Sequence, residues 1–302
     1  MSRRLQMLQV ARLARRSLGE SADLVVSFLK SRSAPGGGYA DRGGNPDLYY
    51  TPFASDALIG LDAYDPGDQH AAATRAWLAT FGAGADLDFV HRCCLARAWA
   101  AHPAAACDAA TREAILAGIL AHRAADGGFA TRTAAARGTA YGCFLAVNAC
   151  ADLLRPLADT GPDADAIVAC LAAVRAADGG WANEPGRPRG TTPATAAALT
   201  TLRSFGRPIP DDAVAWLLAR RHPGGGFTAA PDAPMPDLLS TAVALHALDA
   251  VEAPWREWRD EVLDFIDTLW SAEGAFHGSW ADDEPDAEYT FYGLVALGHA
   301  SV

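Results

Sequence analysis

The chain has 302 residues, 50% of them hydrophobic, which is enough to bury a large core. Its 36 acidic residues outnumber 25 basic ones, and the formal net charge of -11 argues against nucleic acid as a general partner. The six cysteines lack metal-binding spacing, and the sequence shows neither a signal peptide nor a membrane span. We therefore expect a cytoplasmic protein with reduced thiols.

A glycine pair followed by an aromatic residue recurs along the chain. The aromatic residues are separated by intervals of 90, 52, 46 and 49 residues, and a weaker copy at 81–84 divides the first interval. This period predicts a repeat architecture. A glycine in the left-handed conformation ends a helix and lets the next side chain fold beneath the loop. We therefore interpret the aromatic residues as structural: Tyr39, Phe129, Trp181, Phe227 and Phe276.

Residues 1–20 are rich in arginine and carry leucines at helical spacing. Two interpretations of this segment remain open. A capping helix would pack its apolar stripe on the first repeat, and this interpretation is favoured. A membrane-surface helix or targeting segment would instead bring the protein into peripheral contact with a membrane.

Each repeat is predicted to contain two helices. The first has apolar residues at helical spacing with charged residues between them, as in an amphipathic helix with one solvent-exposed face. These helices are predicted at 21–32, 69–80, 110–123, 163–176, 211–221 and 258–271. The second is apolar almost all round, as in a helix buried on every side. These helices are predicted at about 47–62, 87–101, 139–154, 192–203, 237–250 and 286–299.

Six pairs of one exposed and one buried helix predict an outer and an inner ring. Stacked repeats expose their end units, and closing the ring removes those ends. The predicted fold is therefore an all-α (α/α)6 toroid around a central cavity, in a single domain. After the N-terminal segment, the repeats are predicted at about 21–64, 65–104, 105–155, 156–206, 207–252 and 253–302.

The glycine–aromatic element, followed by the stretch Asp47-Leu48-Tyr49-Tyr50-Thr51, resembles the prenyltransferase and squalene–oxidosqualene cyclase repeat. The resemblance covers about residues 21–300 and extends to the β subunits of protein prenyltransferases. It implies a toroid whose function depends on residues where the inner helices begin. In the resembling transferases an isoprenoid diphosphate binds at that end of the cavity, and a helical partner subunit wraps round the ring.

The resemblance also implies where a zinc site would lie. Prenyltransferase β subunits bind zinc through aspartate, cysteine and histidine at positions that match Asp237, Leu239 and Tyr289 here. Leucine offers no ligand atom, and neutral tyrosine is a poor ligand beside histidine or thiolate. Asp237 is the single remnant, so zinc is not expected.

Class II terpene cyclases carry an Asp-x-Asp-Asp stretch at the same positions, and its middle carboxylic acid protonates an alkene or epoxide. Asp86-x-Asp88 and Asp286-x-Glu288 each match half of this motif, and these four residues are the catalytic candidates. The alternative is that they cap helices. In a closed ring Asp47, Asp286 and Glu288 would lie together at one end of the cavity. Their mutual repulsion could raise the pKa of one of the three carboxyl groups, or together they could bind Mg²⁺.

Two further sets of residues are candidates for binding a substrate. Arginines in the loops before the third and fourth inner helices suit a diphosphate beside helix N-termini, although solvated loop charges are an equal alternative: Arg132, Arg137, Arg187 and Arg189. Tyrosines of the inner helices would line an aromatic wall that suits an isoprenoid chain, with ordinary packing as the alternative: Tyr49, Tyr50, Tyr141, Tyr289 and Tyr292.

Three functions remain open. The favoured one is a zinc-independent, prenyltransferase-like protein that binds an isoprenoid diphosphate. The second is a class II cyclase-like enzyme with Asp88 or Glu288 as its general acid. The third is a toroid without catalysis that binds a terpenoid lipid or a protein. The expected partners are an isoprenoid diphosphate or terpenoid lipid, together with a helical subunit or a second copy of the chain.

Overall fold

The computed structural model describes residues 2–158 and 160–301, which form two concentric rings of helices. The inner ring consists of α3 (Tyr50–Gly60), α5 (Phe89–Trp99), α7 (Ala140–Asp152), α9 (Thr192–Ser204), α11 (Leu238–Ala250) and α13 (Ala287–Ala300). The outer ring consists of α2 (Ala22–Ser31), α4 (Gln69–Thr80), α6 (Ala109–Leu120), α8 (Pro162–Ala173), α10 (Asp211–Leu218) and α12 (Arg259–Asp267).

Short elements complete the rings. A first helix, α1 (Arg3–Leu18), precedes them, and three 3-10 turns lie at Gly19–Ser21, Ala104–Ala106 and Arg256–Trp258. Three antiparallel hairpins of two-residue strands join helices: β1 (Tyr39–Ala40) with β2 (Pro46–Asp47), β3 (Phe227–Thr228) with β4 (Pro236–Asp237), and β5 (Trp270–Ser271) with β6 (Ala275–Phe276).

The inner helices contact one another in chain order, and α13 returns to contact α3, which closes the ring. The outer helices pack on them from outside through α2–α3, α4–α5, α6–α7 and α12–α13 contacts. The predicted all-α toroid is therefore confirmed. The cysteines behave as expected of reduced thiols, since all six are free and buried.

Several predicted helix boundaries were wrong by one to four residues. The inner helix predicted from Asp237 begins one residue later, because the Asp237 carboxylate accepts a hydrogen bond from the Ser240 amide and so stands outside the helix as its N-cap. The last outer helix was predicted to run to 271 but ends at Asp267. Trp270 and Ser271 instead form β5, which pairs with the following glycine-containing segment.

The repeated aromatic residues are buried, as their structural interpretation predicts. The structure also reveals how they are held. In five repeats the backbone N–H of the aromatic residue donates to a hydroxyl or thiol in the first turns of the next inner helix: Tyr39 to Thr51, Phe129 to Cys143, Trp181 to Thr195, Phe227 to Thr241 and Phe276 to Thr290. This bond fixes each hairpin to its helix and is a second repeat signal in the sequence.

The N-terminal segment forms the helix α1. It was predicted to pack on the first repeat, but it packs chiefly on α13 of the last repeat and less extensively on α3 and α7. Small side chains permit the close approach, because Ala11 and Ala14 are fully buried and a Cβ on Gly298 would collide with the Val10 carbonyl oxygen. None of the helices in the described part of the chain combines the length and apolar character that crossing a bilayer requires.

Gly225 shows why the hairpin requires glycine at this position. Its φ is +81°, and a Cβ there would collide with the Glu261 carbonyl oxygen on α12. We expect Gly225→Ala to lower the free energy of unfolding by about 2–3 kcal/mol, from backbone strain and the collision together. Gly186 has a φ of +76° but open space around its Cβ position. Gly186→Ala should therefore cost only about 1 kcal/mol. Equal urea midpoints for the two variants would contradict this explanation.

Candidate functional site

A cavity of about 200 Å³ lies inside the inner ring, with side chains from α1 and all six inner helices around it. Six aromatic side chains are among the residues that line it: Tyr49, Phe53, Tyr141, Phe144, Phe291 and Tyr292. Three of the five predicted tyrosines are among these residues. Tyr50 and Tyr289 are not.

Glu288 lies in the first turn of α13. It is not itself among the residues that line the cavity, and it adjoins the cavity through Tyr49. The Tyr49 hydroxyl, which belongs to the cavity wall, donates a hydrogen bond of 2.7 Å to Glu288 Oε1. Burial raises the pKa of Glu288 to about 7, against the opposing hydrogen bond from Tyr49 and with help from the nearby Asp286 charge. A substantial fraction of Glu288 is therefore protonated at neutral pH.

Asp286 supports this end of α13 without sharing the role of Glu288. Its Oδ1 accepts from the Tyr289 amide at 2.8 Å, and its Oδ2 accepts from Arg42 Nε at 2.9 Å. Burial raises the pKa of Asp286, whereas these two hydrogen bonds oppose the rise. Arg42 also binds Asp282 at 2.8 Å and so joins the loop before α13 to the loop before α3.

The predicted Mg²⁺ site at Asp47, Asp286 and Glu288 is not supported. Asp47 Oδ1 accepts from the amides of Tyr49 and Tyr50, and the cation beside Asp286 is Arg42. Within residues 2–158 and 160–301, no three His, Cys, Asp or Glu side chains are arranged to hold a metal ion. Asp237 is the N-cap of α11, where its Oδ1 accepts from the Ser240 amide at 2.7 Å.

Asp86 and Asp88 are exposed and lie outside the cavity lining. Asp88 caps α5 and accepts from the His91 amide and from His91 Nδ1, each at 2.9 Å. Partial burial raises the pKa of Asp88, but these hydrogen bonds outweigh it, so the net effect lowers the pKa. A carboxylate that stays ionised is a poor proton donor, and the prediction for Asp88 was therefore wrong on physical grounds.

The four loop arginines are exposed, and the cavity lining does not include them. Arg189 Nη1 lies 2.6 Å from Asp232 Oδ2, and Arg187 forms an ion pair with Glu184. Their predicted position beside a diphosphate in the cavity is not observed. The alternative of solvated loop charges describes them better.

The far end of the cavity, which we term the floor, contains charged residues that the sequence interpretation missed. Asp56 is 0% exposed, and its two oxygens accept from Arg4 Nε at 2.7 Å and Arg97 Nε at 2.8 Å. Burial raises the pKa of the neighbouring Asp152 to about 7, while Arg4 and Arg97 oppose the rise. A lone aspartate within the apolar helix α3 was the available signal.

Comparison with known proteins places the geometry in context. A family model described as the prenyltransferase alpha-alpha toroid domain matches residues 4–220 and 194–300. No curated protein matches the chain by sequence.

Solved structures are similar in fold at low sequence identity. A variant of the type II terpene cyclase MstE from Scytonema, in complex with geranylgeranyl dihydroxybenzoate, is 14% identical with a TM-score of 0.66, over 95% of this chain and 98% of that one. Candida albicans protein geranylgeranyltransferase-I, complexed with GGPP, is 13% identical with a TM-score of 0.67, over 91% of this chain and 90% of that one. At these identities the likeness concerns the fold alone.

Proposed function

The chain belongs to the prenyltransferase alpha-alpha toroid family, and from this premise we propose that it binds an isoprenoid in its cavity and cyclises it with Glu288 as general acid. The observation that carries the proposal is the hydrogen bond of 2.7 Å from Tyr49, a residue of the cavity wall, to Glu288, a carboxyl group whose pKa burial raises to about 7. A carboxylic acid that keeps its proton near neutral pH can transfer it to a bound alkene or epoxide.

The reaction is a proton-initiated isomerisation. The electron pair of the terminal alkene takes the proton of Glu288, and a tertiary carbocation forms. A second alkene of the same chain attacks this cation and closes a ring. A neighbouring carbon then loses a proton, which forms the product alkene, and return of that proton to the Glu288 carboxylate, directly or through solvent, restores the acid. The Tyr49 hydrogen bond stabilises the carboxylate that Glu288 leaves behind. The faces of Tyr141 and Tyr292 would stabilise the cation.

The ligands of the similar structures support an isoprenoid substrate, because the cyclase holds geranylgeranyl dihydroxybenzoate and the transferase holds GGPP. Transfer from a diphosphate has less support here, since the four candidate arginines are exposed. The cavity of about 200 Å³ also favours a short chain. A cavity of about 150 Å³ holds benzene, so this one suits an isoprenoid of roughly ten carbons.

We expect the protein to convert geraniol or its terminal epoxide into cyclic products with a rate that depends on pH. Because the protonated form of Glu288 is the active one, the rate should be constant below pH 7. Above that pH it should fall about tenfold per pH unit. Product analysis by gas chromatography and mass spectrometry across pH 5–9 measures this. Turnover of geranyl diphosphate alone, with release of diphosphate, would overturn the proposal in favour of transfer.

A further inference from the structure

Three hydrogen-bonded side chains connect the outside of the ring to the floor of the cavity, and we call them the histidine chain (Asp249, His299 and His246). Asp249 Oδ2 accepts from His299 Nδ1 at 2.5 Å, and His299 Nε2 lies 3.1 Å from His246 Nδ1. Asp249 is also held by Trp255 Nε1 at 2.7 Å and by an ion pair with Arg256. Of the three residues only His246 lines the cavity.

The carboxylate at one end determines where the protons of the histidine chain lie. Asp249 can only accept, so His299 carries its proton on Nδ1 and presents an unprotonated Nε2 to His246. His246 then donates from Nδ1, and burial keeps it neutral by lowering its pKa well below the usual range. His246 Nε2 therefore carries no proton and can only accept a hydrogen bond.

Two buried polar atoms at the floor have no hydrogen-bond partner among the described residues: His246 Nε2 and Arg3 Nη1. His246 is 7% exposed and Arg3 is 8% exposed, and both residues line the cavity. Leaving such groups unpaired costs free energy, so each one indicates a missing partner. Arg3 is a donor only, whereas His246 Nε2 is an acceptor.

We propose that the cavity floor binds a hydroxyl group, whose oxygen accepts from Arg3 Nη1 and whose proton is donated to His246 Nε2. The inference rests on the proposed function in that the hydroxyl belongs to an isoprenoid, and it names the substrate class as an isoprenoid alcohol. The hydroxyl lies at the floor and the terminal alkene lies towards Glu288. An ether or carbonyl oxygen can accept from Arg3 Nη1 but has no proton to donate to His246 Nε2. A hydrocarbon forms neither hydrogen bond.

Three ligands of equal chain length test this donor and acceptor pair in the full chain at pH 8: geraniol, geranyl methyl ether and 2,6-dimethylocta-2,6-diene. Isothermal titration calorimetry should show geraniol binding about tenfold or more tighter than the ether, because the ether leaves His246 Nε2 unpaired. The ether should in turn bind more tightly than the hydrocarbon. Equal affinities for geraniol and its ether would overturn the hydroxyl site.

Asp249→Asn tests which ring nitrogens of the histidine chain carry protons, and it does so without changing a residue of the cavity lining. The asparagine amide would donate to His299 Nδ1, so His299 would donate from Nε2 to His246 Nδ1, and His246 Nε2 would become a donor. Geraniol and the ether should then bind with about equal affinity. His246→Phe, which removes both ring nitrogens, should likewise abolish the preference for geraniol. Asp260→Asn is the matched control, since Asp260 is 90% exposed, and it should keep the preference.

The outcomes separate this inference from the proposed function. Binding of all three ligands with equal affinity would overturn the hydroxyl site and leave an isoprenoid cavity. Selective binding of geraniol without any cyclic product would support the hydroxyl site and overturn cyclisation. Failure of all three ligands to bind the native chain would overturn both. Glu288→Gln should keep the preference for geraniol, because Glu288 adjoins the cavity through Tyr49 and not at the floor.

Discussion

Replacing Asp56 by asparagine is expected to lower the free energy of unfolding by about 3–5 kcal/mol, since breaking a buried ion pair leaves its partner charges uncompensated. The asparagine keeps the size of the side chain but removes the charge shared by Arg4 and Arg97. Both arginines lie at the cavity floor, where water cannot replace the carboxylate. Chemical denaturation followed by circular dichroism measures the change.

Asp62→Asn is the matched control, because Asp62 is 68% exposed and its contact with Arg12 spans 3.7 Å. A surface pair of this kind contributes at most about 1 kcal/mol, so its loss should be small. Asp152 can take over part of the role of Asp56 by ionising, so Asp56→Asn should be less destabilising at pH 8 than at pH 6. A loss under 1 kcal/mol at both pH values would show that the Asp56 pairs contribute little.

Glu288→Gln is expected to reduce cyclisation about a thousandfold, because general acid catalysis contributes roughly 10² to 10⁴ in rate. Glutamine has nearly the same shape and can still accept the Tyr49 hydrogen bond, yet it has no proton to transfer. Affinity for the substrate should change little, so the loss should appear in kcat rather than in KM. Single-turnover measurement with a saturating polyene gives the chemical rate directly.

The control for this variant is Glu284→Gln, which makes the same change in the loop that precedes α13. Glu284 is 54% exposed and lies 3.9 Å from Arg42. Its replacement should leave both the rate and its decline above pH 7 unchanged. An equal loss of rate in both variants would assign the effect to the Arg42 loop rather than to proton transfer. Full activity in Glu288→Gln would exclude Glu288 as the acid.

The fold could be predicted from the sequence because its signals are local and repeated. Glycine before an aromatic residue marks each hairpin, and the contrast between amphipathic and fully apolar helices separates the outer ring from the inner one. The boundaries were less accurate, because Asp237 resembles a first helical residue in sequence although its side chain places it at the cap. The strand at Trp270 depends on pairing with Phe276, six residues further on, which helical periodicity does not record.

The candidate site could be predicted only in part. Glu288 was found through half of a motif, but the same pattern also selected Asp88, and only burial distinguishes the two. The floor was missed because its pairs join distant segments: Arg4 and Asp56 are 52 residues apart, and Asp56 and Arg97 are 41 apart. Such contacts join separate helices, α1, α3 and α5, and form only when these helices pack together.

The packing of α1 on α13 joins the two ends of the chain across the whole ring. The Ser17 hydroxyl lies 2.7 Å from that of Ser301, and Val10 rests against Gly298. Open arrays of repeats can add or lose terminal units one at a time, because each unit contacts only its neighbours. Here the first helix acquires its main partner only after synthesis has passed the last repeat. The floor of the cavity, to which Arg3 and Arg4 of α1 contribute, is therefore complete only when α1 packs on α13.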